Sequence, residues 1–206
     1  MTQNSDISAA SARPSPVPLE DFDPELREMI GADGMTPLEL STMQMYAHRP
    51  SIAKGFVGLF GALSVDTTLP PRLLELVRLR IAFFNQCRSC MAIRFSSAID
   101  DGLTEDLVCS LERPHEADDL SPAEQAAIRY GELMATDHLS IDDSVYEELR
   151  EHFSEEQIIE LGAYTAFCVG FGRLLSTWKL VEELPDRFKE EGEVLTPWGG
   201  ESVTVG

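Results

Sequence analysis

Lysine is almost missing from this 206-residue chain, occurring only at Lys54, Lys179 and Lys189, and Lys plus Arg number 16 against 36 Asp plus Glu. The resulting net charge of −20 repels phosphate backbones and anionic lipid, which counts against nucleic-acid and membrane partners. A secretory start is missing too: Met1-Thr2-Gln3-Asn4-Ser5-Asp6 has no basic region and no apolar run behind it, so the expected location is the cytoplasm. Long apolar runs are scarce. The most apolar stretch, 163–178, is interrupted by Arg173 and is shorter than the roughly 20 residues that span a bilayer. Alternation of period two is lacking everywhere except the tail Ser202-Val203-Thr204-Val205, so no sheet is expected. Finally, there is no second metal-ligand pair. One Cys-x-x-Cys supplies two of the four ligands a zinc ion needs, and Cys109, Cys168, His115 and His138 stand in isolation, so no metal and no cofactor are expected.

What is present reads as helices. With 43% hydrophobic and 25% charged residues, the chain has the composition of an ordinary globular protein and the length of one domain. Residues 1–18, rich in Ser, Ala and Pro, read as a flexible arm. Thr36-Pro37-Leu38-Glu39, Ser121-Pro122-Ala123-Glu124 and Ser154-Glu155-Glu156-Gln157 are capping boxes, Ser144 with Glu147 offers a fourth, and Thr104 before two acids marks another helix start. The segment from Pro71 is apolar nearly all round, as is that from Ile158, where Gly170 and Gly172 predict a kink or a close helix contact. The fold class is therefore all-α, with eight or nine helices over residues 19–184. Leu73-Leu74-Glu75-Leu76 resembles Ile158-Ile159-Glu160-Leu161, and Arg88 and Arg173 share the same offset of 85, the pattern of two related helical hairpins or simply of two amphipathic helices. The tail 185–206 carries Trp198 beside Gly199-Gly200 and reads either as an arm docking on a neighbouring subunit or as a disordered end.

The sharpest local feature is Cys87-Arg88-Ser89-Cys90, preceded by the polar break Asn85-Gln86. Cys87 at a helix start and Cys90 one turn in would place thiols where orphan N–H groups stabilise a thiolate. The pair can close a disulfide on itself; inert buried thiols remain the competing reading. Arg94, four residues after Cys90, is expected on the same helical face, where it stabilises a Cys90 thiolate or makes a surface ion pair. Glu75 is the lone acid of a nearly apolar helix and the obvious proton carrier, unless it pairs with Arg78 or Arg80. Twelve residues of straight helix would hold it about 18 Å from Cys87, so the chain must fold back at Asn85-Gln86. Arg78, Arg80, Arg88 and Arg94 gather within 17 positions, suggesting one electropositive pocket on an acidic protein.

The array of Glu75, eleven residues and Cys87-x-x-Cys90 between apolar helices resembles the alkylhydroperoxidase D-like (AhpD-like) branch of the carboxymuconolactone decarboxylase superfamily. The resemblance includes Tyr46-Ala47-His48-Arg49-Pro50, Asp101-Gly102-Leu103-Thr104-Glu105 and Phe171-Gly172-Arg173, and covers 43–178. It implies an all-helical domain assembling into homo-oligomers: dimers, trimers or hexamers. It also implies catalytic roles for Cys90 (peroxidatic), Cys87 (resolving) and Glu75 (relay acid). The usual motif has His four residues after the second cysteine; Arg94 stands there, and Ser89 replaces a His that some members carry within the pair. His138, between two helices, is a candidate substitute relay.

Three functions follow as expectations. The first is a thiol-dependent peroxidase or disulfide oxidoreductase acting on a small peroxide, re-reduced by a dithiol protein. The second is a cofactor-independent decarboxylase-like lyase or isomerase acting on a small anionic substrate bound by Arg94. The third is a non-enzymatic oligomeric scaffold.

Overall fold

The computed structural model describes residues 13–190 and 192–206. Among them are ten α-helices: α1 (Pro24–Met29), α2 (Pro37–Tyr46), α3 (Pro50–Ser64), α4 (Pro71–Asn85), α5 (Arg88–Ala92), α6 (Ser96–Asp100), α7 (Glu105–Cys109), α8 (Pro122–Thr136), α9 (Asp143–Arg150) and α10 (Glu155–Trp178). Two three-residue strands, β1 (Ile93–Phe95) and β2 (Val203–Val205), form a small parallel pair. The all-α class therefore holds, with ten helices in place of eight or nine and with a strand at β1 that no alternation announced.

The chain divides into compact units at 1–54 and 55–206. In the first unit, Asp23 caps α1 by accepting from the Leu26 N–H at 3.0 Å. Thr36 and Glu39 close the expected capping box on α2. Lys54 pairs with Asp23 at 2.9 Å and with Glu25 at 2.5 Å. Most of the expected arm, residues 1–12, lies outside the described residues; the remainder is tied down, with Val17 N–H donating to the Gln44 carbonyl at 3.0 Å.

The second unit is built round α4, which packs against α8 and α10. Leu76, Val77, Leu79 and Ile81 have no exposed surface, as expected of a helix apolar on nearly every side. Gly131 of α8 permits this approach: a Cβ there would stand 3.0 Å from Val77 Cγ1. The capping boxes at Ser121 and Ser154 are both formed, and Thr104 caps α7 by accepting from Leu107 N–H. At α9 the cap is Asp142, which accepts from Ser144 N–H at 3.0 Å, so Ser144 lies inside the helix and not before it.

Helix α10 runs unbroken for 24 residues. By length and apolar content it could cross a membrane, with mean hydropathy 1.4 over an 18-residue window, a longer stretch than 163–178 suggested; in this fold Leu161, Tyr164 and Phe167 belong to the core. Of the two alternatives at Gly170 and Gly172, close contact is the outcome. A Cβ at Gly172 would fall 2.6 Å from Asn85 Nδ2.

Candidate active site

Helix α4 stops where the sequence breaks to Asn85-Gln86. Gln86 takes the left-handed conformation (φ 49°), uncommon for a residue with a side chain. It is held there by its own amide: Nε2 donates to the Phe83 carbonyl at 2.7 Å and the Leu195 carbonyl at 3.1 Å, while Oε1 accepts from Leu195 N–H at 3.0 Å. The chain thus reverses at the place that bringing Glu75 near the cysteines required. Asn85 anchors the reversal to α10, donating to the Cys168 carbonyl at 3.0 Å and accepting from Arg173 Nε at 3.2 Å.

Cys87 caps the five-residue α5 and is bonded to Cys90 as a disulfide, with Cα atoms 5.2 Å apart. The two sulfurs are unequally placed: Cys87 has no exposed surface, whereas Cys90 is half-buried. Ser89 Oγ lies 3.6 Å from Cys87 Sγ. A cavity of about 250 Å³ opens beside this turn, between Gln86, Arg88 and Ser89 on one side and Ser176, Lys179 and Val181 at the end of α10.

Glu75 is buried and fully engaged. Its Oε1 accepts from Arg78 Nη2 at 2.6 Å and from Phe95 N–H at 3.2 Å, and Oε2 accepts from Arg78 Nε at 2.7 Å. The pairing with Arg78 is therefore the arrangement adopted. Arg78 continues toward the disulfide turn, donating to the Cys90 carbonyl at 2.5 Å and the Ile93 carbonyl at 3.0 Å. Burial works against the Arg78 charge, but the Glu75 carboxylate more than offsets it and raises the guanidinium above its ordinary value. Next to this pair, Tyr164 shares a hydrogen bond with Cys168, and burial pushes the Cys168 thiol up to about 12. Cys168 is thus a neutral packed thiol, whereas Cys109 is exposed at the end of α7.

Arg94 is placed differently from expectation. Helix α5 ends at Ala92, so Arg94 lies in β1 and not one helical turn beyond Cys90. Its side chain is 2% exposed and all five donors of the guanidinium are used. Nε and Nη2 bind Glu105 at 3.0 and 3.2 Å, Nη1 binds the Met91 and Ile93 carbonyls, each at 2.9 Å, and Nη2 binds the Pro197 carbonyl at 2.6 Å. Burial draws its pKa down, opposed by Glu105. No donor remains for a thiolate or a substrate carboxylate. His138 is also away from the pair: it is exposed in the 3₁₀ turn His138–Ser140, and none of the described contacts of Glu75, Cys87, Cys90 or Arg94 involves it.

Of the four arginines expected to make one electropositive pocket, three are paired with acids and only Arg88 lines the cavity, with Lys179. Arg78 pairs with Glu75, Arg80 with Glu132 at 2.5 Å and Arg94 with Glu105; Arg88 binds the neutral carbonyls of Phe188, at 2.9 Å, and Glu190. Within the single chain the tail packs beside the disulfide turn. Trp198 packs 5.0 Å from the Phe83 ring and under the Arg80 guanidinium, and β2 pairs with β1 in the register Ile93↔Val203, Arg94↔Thr204 and Phe95↔Val205. The tail carbonyls of Leu195 and Pro197 are site components that sequence reasoning passed over, and no local signal announced them.

Residues 50–133 match the Carboxymuconolactone decarboxylase family. An uncharacterized protein of Mycobacterium tuberculosis is 36% identical over 108 residues, covering 52% of this chain but only 37% of that protein's length. Among solved structures, the chain is similar to an alkylhydroperoxidase AhpD core, an uncharacterized peroxidase-related protein from Ralstonia eutropha JMP134, at TM-score 0.68 and 22% identity over 87% of this chain and 96% of that one. It is also similar to a debrominase, at TM-score 0.65 and 21% identity over 84% and 92% of the two chains.

Proposed function

From the premise that this chain belongs to the AhpD-like and carboxymuconolactone decarboxylase superfamily, we propose that it is a thiol-dependent peroxide reductase working through Cys90 and Cys87. The observation that carries the reading is the Cys87–Cys90 disulfide with Cys87 buried and Cys90 half-buried. That asymmetry supports Cys90 as the attacking cysteine and Cys87 as the resolving one. The accessible Cys90 thiolate attacks the terminal oxygen of a hydroperoxide, the O–O bond breaks, and the alcohol leaves with a proton. Cys90 sulfenic acid is then attacked by the Cys87 thiol, which expels water and closes the disulfide. A dithiol partner returns two electrons and two protons by thiol–disulfide exchange.

Glu75 enters this scheme as a positioning group. Both its oxygens are committed, and Arg78, which joins it to the Cys90 backbone, keeps its proton at any working pH. The lyase reading loses its expected anion binder, because Arg94 has no free donor. A debrominase with the same fold marks why the fold alone does not choose the reaction.

The test is a pair of substitutions assayed for dithiol-dependent peroxide consumption. Cys90→Ser is expected to abolish activity. Cys87→Ser is expected to consume one equivalent of peroxide and stop, leaving a sulfenic acid that a dimedone probe captures. Equal turnover of both variants and the parent chain would overturn the proposal.

A further inference from the structure

Three polar side chains flanking the two cysteines, Gln86, Arg88 and Arg94, bind the last part of the chain. Before the pair, Gln86 brackets the Leu195 backbone with two hydrogen bonds, at 3.0 and 3.1 Å. Within the pair, Arg88 binds the Phe188 and Glu190 carbonyls. After it, Arg94 binds the Pro197 carbonyl at 2.6 Å, β1 pairs with β2, and Ser202 Oγ donates to Glu105 at 2.9 Å. Trp198 closes the far side against Phe83 and Arg80. The terminal segment is thus fastened to residues both before and after the disulfide turn.

From these contacts we propose that residues 192–206 are a size filter on the Cys87–Cys90 pair, passing small oxidants and small thiols and holding back protein dithiols until the segment lifts. The inference rests on the redox reading above. Its physical basis is the geometry of a mixed disulfide, in which the two Cα atoms stand about 4.4–6.8 Å apart. A protein reductant therefore has to bring its own backbone that close to Cys90, at a turn whose neighbours Gln86 and Arg94 hold Leu195 and Pro197. A small dithiol needs only its sulfur there. In either case one thiolate attacks the Cys90 sulfur and releases Cys87 as a thiolate. The second reductant thiol then attacks its partner sulfur in the mixed disulfide and frees Cys90. The reductant leaves as a disulfide, and the pair has gained two electrons and two protons. Because Gln86 and Arg94 hold the segment through its backbone, its attachment depends little on the side chains it carries.

The experiment starts from the oxidised chain and measures disulfide reduction by dithiothreitol and by a reduced thioredoxin-type protein, taking the ratio of the two rates. Three proteins are compared: the full chain, a chain lacking residues 192–206, and full-length Gln86→Gly, which removes the amide clamp while suiting the left-handed backbone. Access governs exchange rates, so the protein-to-small-dithiol ratio is expected to rise at least about tenfold on truncation and about threefold in Gln86→Gly. An unchanged ratio in the truncated chain overturns the inference; if that chain does not fold, the ratio in Gln86→Gly decides alone. Neither measurement needs peroxide, so an inactive peroxidase with an altered ratio would sink the proposed function and leave the filter standing.

Discussion

Glu75 shows how far the identity of a residue differs from the work its position gives it. A lone acid in an apolar helix invites a proton-relay role, yet here the carboxylate is one half of a buried ion pair with Arg78 and also accepts the Phe95 N–H. Breaking one partner of a buried pair leaves the other charge stranded. Glu75→Gln is therefore expected to lower stability by about 3–5 kcal/mol, read from the denaturant midpoint; an unshifted midpoint would return Glu75 to the relay role. Cys168 gives a second residue-scale test. Its thiol is raised to about 12 by burial, so the folded state favours the neutral form. The contribution to stability is full below the unfolded thiol value of about 8.5 and is lost as pH climbs toward 12. Unfolding free energy should fall across that window, and Cys168→Ala should flatten the part of the slope below pH 10, before tyrosines titrate. At pH 8, iodoacetamide is expected to label exposed Cys109 and spare Cys168, as peptide mapping would show. The Cys-x-x-Cys itself was legible because its two members are three residues apart. The fate of Glu75 was legible only as a choice between relay and ion pair, since both fit the same spacing.

At the scale of elements, the joint between α4 and α5 and the β1–β2 pair carry the site. The joint could be read in advance: a polar dipeptide interrupts an apolar helix, and a straight helix could not serve the chemistry. The strand could not, because β1 is three residues long and its partner lies 110 positions on, at Ile93↔Val203. Short parallel pairs have no local signal. Missing β1 turned Arg94 from a fully bonded buried bolt into a supposed helix-surface cation. The consequence is testable with the substitution that restores the usual motif residue. Arg94→His forfeits the bidentate contact to Glu105 and the bond to Pro197, and hydrogen bonds to charged groups are each worth about 1.5–3 kcal/mol. The variant is expected to lose at least about 2 kcal/mol and to show faster hydrogen exchange in 193–205, without gaining peroxide turnover. A gain in turnover with unchanged exchange would mean that Arg94 holds nothing together.

For the molecule as a whole, the charge of −20 acts on stability more than on the site, where Glu75, Glu132 and Glu105 cancel three of the four clustered arginines. Self-repulsion over distances beyond these pairs is screened as the Debye length falls from about 30 Å at 0.01 M salt to about 8 Å at 0.15 M. The melting temperature is therefore expected to rise across that range in calorimetry; a fall would show that the ion pairs dominate the balance. What the sequence determined by itself were the features written in neighbouring residues: the capping boxes at Thr36, Ser121 and Ser154, the helical class, the reversal at Asn85-Gln86 and the closeness of Cys87 to Cys90. Each depends on contacts within about one helical turn, so spacing alone specifies it. Only the tertiary structure decided where the guanidinium groups point, that Cys168 is partly buried while Cys109 is exposed, and that the tail lies beside the disulfide turn. Those outcomes depend on partners brought together from far along the chain, Gln86 with Leu195 and Arg94 with Pro197 among them, and no local pattern encodes which distant carbonyl a donor will meet.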